Sequence, residues 1–235
     1  MQERTGDAAN MSSAIPQATA ASSRRISWRA LEFAVVFIGL PLFAGWQGAA
    51  FRRWVIPQIW LLAGAALLVL LRDPGFARRC LSLRPRGDRS GVLRILLIFI
   101  VGSCGLLAMV AWSMPENLFR MPAERPGVWL MILALYPLLS AVPQEVVFRV
   151  FVFHRYAGLF PNPRAMIAAS AASFALAHLQ LGNPWAPALA LIGGILFAFS
   201  YSRSRTLFQP ALEHALWGDW IFSVGLGSYF YGGHF

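Results

Sequence analysis

The sequence predicts an all-α membrane protein, a polytopic bundle of about seven to eight transmembrane helices. Three observations lead there. The chain is 57% hydrophobic, with a mean hydropathy of +0.57. Only 13% of its 235 residues are charged, where a soluble domain carries about 25%. Its apolar residues gather in runs of about 20, the length that crosses a hydrocarbon core of ~30 Å at ~1.5 Å per residue.

The charge pattern supports the same class. A net charge of +10 would suggest nucleic acid for a soluble protein. Here all twenty basic residues are Arg, and they lie between the apolar runs. Such placement is topogenic, so a bilayer is the expected partner and nucleic acid is not. Fifteen arginines fall on the side of the N-terminus. Arg52, Arg53, Arg120 and Arg125 fall on the other, and Arg149 lies within a run. The expectation is a bacterial-type cytoplasmic (inner) membrane with the N-terminus in the cytoplasm. Cys80 and Cys104 lack a CxxC spacing and sit at different depths, which argues for packing rather than a disulfide.

In chain order, residues 1–27 are rich in Ala, Ser, Gln and Thr and read as a disordered cytoplasmic tail without a signal-peptide layout. Residues 28–126 hold three apolar runs, at 31–50, 56–71 and 91–112. Glu32, at the start of the first, suits an interface and a helix N-terminus. Residues 127–235 hold four more, at 127–153, 165–179, 187–201 and 207–226. The fourth contains Pro137 and Pro143, and a split at Pro143 would make eight spans. The small residues Ala168–Ala172 and Gly193–Gly194 suit close helix contacts.

Three clusters of polar residues lie inside the last four runs. Gln144-Glu145 precedes Arg149 by one helical turn, so carboxylate and guanidinium share a face. Phe174 precedes His178 by the same spacing, and Glu213-His214 is followed by Gly218-Asp219. Charges at membrane depth are expensive and usually functional. From the nearest loop arginines, Glu145, His178 and His214 lie roughly 15, 20 and 13 Å into the bilayer at the helical rise. Similar depths allow one shared chamber. There a carboxylate in an apolar surround can act as general base, and imidazoles can position water or stabilise an oxyanion. Arg149 can orient the carboxylate. Two His and one Glu also form a hydrolytic zinc set. Without HExxH zinc is unforced, so no cofactor is expected.

These motifs resemble those of the CPBP family, the CAAX-processing and bacteriocin-processing intramembrane proteases, also called the abortive-infection family. Its pattern is Glu-Glu-x-x-x-Arg, Phe-x-x-x-His and His-x-x-x-Asn on successive helices. This sequence reads Gln144-Glu145-x-x-x-Arg149, Phe174-x-x-x-His178 and His214-x-x-x-Gly218. It departs twice. Gln144 stands where the family's water-activating glutamate would be, and Gly218 stands in place of the amide, with Asp219 next. Glu145 lies about 100° around the helix from Gln144.

The resemblance implies a catalytic bundle over 127–235 that cleaves membrane-associated or lipid-modified protein or peptide substrates. Glu145 would be the base, with His178 and His214 as water and oxyanion partners. Arg149 and Gln144 would complete the catalytic group, and Phe174, Gly218 and Asp219 would lie against substrate. A non-catalytic immunity or substrate-binding protein on the same fold is the alternative. A small proton-relaying transporter is a third reading, weakened by the lack of repeats.

Overall fold

The computed structural model describes residues 26–85 and 89–230, and only the backbone of Ala49. The expected tail lies outside the described residues except for Ile26 and Ser27, which already belong to the first helix.

Each of the seven apolar runs forms a helix, and the described residues contain no strand. These helices are α1 (Ile26–Gln47), α2 (Val55–Arg72), α3 (Arg89–Ser113), α4 (Pro126–Arg155), α5 (Pro163–Ala177), α6 (Trp185–Ser204) and α7 (Phe208–Val224). Five of them, α1 to α4 and α6, are long and apolar enough to cross a membrane. The other two are shorter, at 15 residues for α5 and 17 for α7.

The bundle exposes apolar side chains and buries charged ones within its apolar core. Leu61 of α2 is 77% exposed and Val101 of α3 is 73% exposed, whereas Glu145 and Arg149 of α4 are both at 0%. Water would penalise that arrangement, and lipid favours it.

Local chemistry sets the ends of the inner helices. Asn162 caps α5 by accepting from the Ala165 N–H at 2.9 Å, with Pro163 at the first helical position. Asn183 does the same for α6, accepting from the Ala186 N–H at 2.9 Å. Its amide also donates to the Tyr229 carbonyl at 2.8 Å, which ties the segment after α7 to the start of α6. Gly225 ends α7 at φ +117, and a Cβ there would run into the Asn117 carbonyl, so glycine is required on both grounds.

The long helix α4 is not split at Pro143. It continues through two widened π-turns, Pro137–Ala141 and Val146–Phe151, on either side of Val142–Glu145. Proline lacks the N–H that would bond the carbonyl four residues back. For Pro143 that acceptor is Leu139, and the Trp60 indole N–H of α2 donates to the Leu139 carbonyl at 3.0 Å. In the second widened turn, Ser170 of α5 donates to the Phe148 carbonyl at 2.7 Å. Neighbouring side chains thus satisfy backbone that a regular ladder would have paired. Such turns often mark functional positions.

Packing fixes α4 against its neighbours. Gly194 of α6 brings the two backbones together, since a Cβ there would sit 3.0 Å from the Ala171 Cα of α5. Phe37 of α1 packs against Phe148, Phe151 and Tyr156. At that end Arg155 donates to both oxygens of Glu32, at 3.1 and 2.8 Å, and the Tyr156 hydroxyl donates to the same carboxylate at 2.9 Å. Glu32 therefore latches α1 to the end of α4. His154 pairs with Asp73 at 2.8 Å. That contact and the Gly75 N–H hold the exposed Asp73 carboxyl below its ordinary range.

Candidate active site

The site lies where α4, α5, α6 and α7 meet. Glu145 projects from the segment between the two π-turns and is fully buried. One oxygen, Oε1, lies 2.8 Å from His214 Nδ1. The other, Oε2, lies 3.2 Å from Arg149 Nε. That pair is close enough for charge attraction, but neither atom has an aligned hydrogen-bond partner. Arg149, also at 0% exposure, donates through Nη2 to the Gly194 carbonyl at 3.3 Å. Its guanidinium lies 4.6 Å over the Phe174 ring and 5.4 Å from the Phe197 ring. The cation is thus balanced by one carboxylate, one carbonyl and two aromatic faces.

His214 is held from all sides. Phe197 stacks on its ring at 4.6 Å with 15° between planes, and Phe174 meets it edge-on at 5.4 Å. A carboxylate oxygen accepts here from the His214 Nδ1–H. The other nitrogen, Nε2, has no hydrogen-bond partner among the described residues.

His178 ends α5, and its Nδ1 lies 2.8 Å from the Phe174 carbonyl. A carbonyl can only accept, so Nδ1 carries the proton and the neutral ring presents a bare Nε2. The carbonyl is one of those a helix C-terminus leaves open, so the histidine caps its own helix. His178 and His214 both contact the Phe174 ring, at 4.6 and 5.4 Å between ring centres. Glu145 and His214 are therefore in direct contact, and His178 shares the Phe174 ring with His214.

The remaining residues singled out in the sequence lie around this core. Gln144 points away from Glu145 and donates to Ser140, one turn back, at 2.7 Å. Phe174 is 2% exposed and contacts both imidazoles. Gly218 is buried beneath the Tyr136 ring, where any Cβ would collide. Asp219 is half-buried, with a buried Oδ1 that has no hydrogen-bond partner.

Two features had no role in the sequence reading. Glu213 is 1% exposed and accepts from Ser200 at 2.6 Å, and Ser200 accepts from Arg94 at 3.2 Å. This chain joins α3, α6 and α7 beside His214. Its only signal in the sequence was a carboxylate next to a histidine in an apolar helix. The second feature, Tyr136, had no signal, because its position depends on the space left by Gly218.

The site elements coincide with a family match. Residues 126–218, from the first residue of α4 to Gly218, match the family described as Type II CAAX prenyl endopeptidase Rce1-like, within the CPBP family. That family is a family of proteases. No curated protein and no solved structure matches the chain.

Proposed function

We propose that the protein is an intramembrane endopeptidase that hydrolyses peptide bonds of membrane-associated or lipid-modified proteins. The observation that carries this reading is the buried Glu145–Arg149–His214 cluster within the stretch that resembles a protease family. A dry, paired carboxylate against an imidazole is costly to maintain for packing alone.

The geometry suggests a division of roles. Both Glu145 oxygens face protein cations or donors, so Glu145 acts through His214, fixing its tautomer and stabilising its charged form. Arg149 holds the carboxylate in place. His178 Nε2, bare while Nδ1–H is held by Phe174, takes the proton from water as hydroxide attacks the carbonyl carbon. The electron pair of the C=O bond moves to oxygen, and His214 in its charged form donates to that oxyanion from Nε2. Collapse breaks the C–N bond, and His178 returns its proton to the leaving amine. Gln144, turned toward Ser140, takes no part in proton transfer.

Zinc does not enter this scheme, whose steps are carried by His178, His214, Glu145 and Arg149. The arginine distribution supports an inner-membrane location with a cytoplasmic N-terminus.

A non-catalytic binding or immunity role is the second reading. It is favoured by Gln144 standing in the place of the family's glutamate and by the missing amide at Gly218. The test is purification in detergent followed by incubation with a prenylated CAAX peptide. The endopeptidase reading expects a product cut at one peptide bond. Tight binding of the peptide with no cleavage would favour the second reading.

A further inference from the structure

Tyr136 lies on α4, about two turns before Gln144. Its ring crosses to α7 and lies on the backbone of Gly218, where a Cβ would collide with Cε1, Cζ and the hydroxyl oxygen. On one side the ring meets His214 at 5.9 Å, edge-on. On the other it meets Phe222 at 5.5 Å. Residues 214, 218 and 222 form one stripe of α7 at four-residue spacing. Tyr136 covers that stripe, and its hydroxyl makes no hydrogen bond to the described residues. A half-buried phenol with an unspent O–H beside an active-site imidazole is a donor awaiting an acceptor.

We propose that Tyr136 is a catalytic residue whose hydroxyl donates to the oxyanion of the tetrahedral intermediate, next to His214. The inference rests on the endopeptidase reading and adds to it the second oxyanion donor. A side chain at position 218 would reach the same space from α7. With glycine there, α4 supplies the donor instead. As water adds, the carbonyl oxygen gains the electron pair of its double bond and accepts from Tyr136 Oη–H. When the C–N bond breaks, that pair returns to the carbonyl. Tyr136 keeps its proton throughout, so no further reactant is needed.

The test is steady-state cleavage of a fluorogenic prenylated peptide by the detergent-solubilised full chain. Tyr136→Phe keeps the ring on Gly218 and removes only the hydroxyl. The expected result is a fall in kcat of about 10²–10³-fold, the scale of a lost oxyanion donor, with KM within about threefold and an unchanged melting temperature. The pair Tyr136→Ala and Tyr136→Ala/Gly218→Asn supplies the second arm. The single variant removes ring and donor together, and the double variant returns a donor from α7 into the vacated space. The double variant should recover at least tenfold in kcat over the single. Undiminished kcat in Tyr136→Phe would overturn the assignment while leaving the endopeptidase reading intact. A change confined to KM would also overturn it, by placing the hydroxyl on the ground-state substrate. A folded wild-type chain that cuts no peptide would overturn both.

Discussion

Glu145 Oε1 lies 2.8 Å from His214 Nδ1, joining α4 to α7 at full burial. The contact gives the carboxylate a partner other than water. It also ties the carboxylate to an imidazole that is stacked on Phe197.

Arg149 should matter to folding before it matters to specificity. Arg149→Met would leave the Glu145 carboxylate buried with its main counter-charge gone. Breaking a buried pair costs about 3–5 kcal/mol. The expected outcome is a lower melting temperature and a reduced folded yield in detergent. Arg149→Met/Glu145→Leu should be more stable than Arg149→Met alone, because it removes the stranded charge. Equal melting temperatures for wild type and Arg149→Met would show that water reaches the guanidinium.

Gln144 should be nearly dispensable. It donates to Ser140 and to no other described group in the site. Gln144→Ala should cost about 1 kcal/mol of stability, the net worth of one hydrogen bond. Cleavage should stay within about tenfold of wild type. Loss of a thousandfold in kcat with an intact fold would return Gln144 to the chemistry and displace the roles given above.

Ser200→Ala tests the polar chain next to the site. It strips Glu213 of its 2.6 Å donor and leaves a buried carboxylate oxygen unpaired. An unsatisfied buried group of this kind costs about 1–3 kcal/mol. The melting temperature should fall while kcat per folded molecule changes little. Loss of kcat without loss of stability would instead make Glu213 part of the reaction path.

Much of this arrangement was legible in the sequence because it is local. Glu145 with Arg149, and Phe174 with His178, sit four residues apart, so helical spacing alone brings each pair together. Counting rise from the loop arginines brought Glu145 and His214 to similar depths, and the two side chains touch. The seven apolar runs gave the seven helices for the same local reason. What escaped the sequence depends on contacts between helices. The π-turns that carry α4 past Pro143 need Trp60 and Ser170 from other helices to satisfy freed carbonyls. The Tyr136 ring needs the gap at Gly218, 82 positions later. The Glu32–Arg155 latch spans 123 positions, too far for local spacing to join its two halves.

Metal dependence provides a separate check. Cleavage should persist after dialysis against a chelator and should not rise on adding zinc, because the proposed steps run through His178 and His214 alone. Activity lost with the chelator and restored by zinc would overturn that scheme and point to an ion on the bare Nε2 atoms of His178 and His214.

The central claim is that Glu145 drives peptide hydrolysis through His214. The most direct test is the rate of cleavage of one prenylated peptide by wild type and Glu145→Gln, measured side by side on folded protein. Glutamine keeps the shape and can still accept from Nδ1, but it cannot stabilise a charged imidazole. The account predicts a fall in kcat on the order of 10³ or more. Full activity in Glu145→Gln would contradict it.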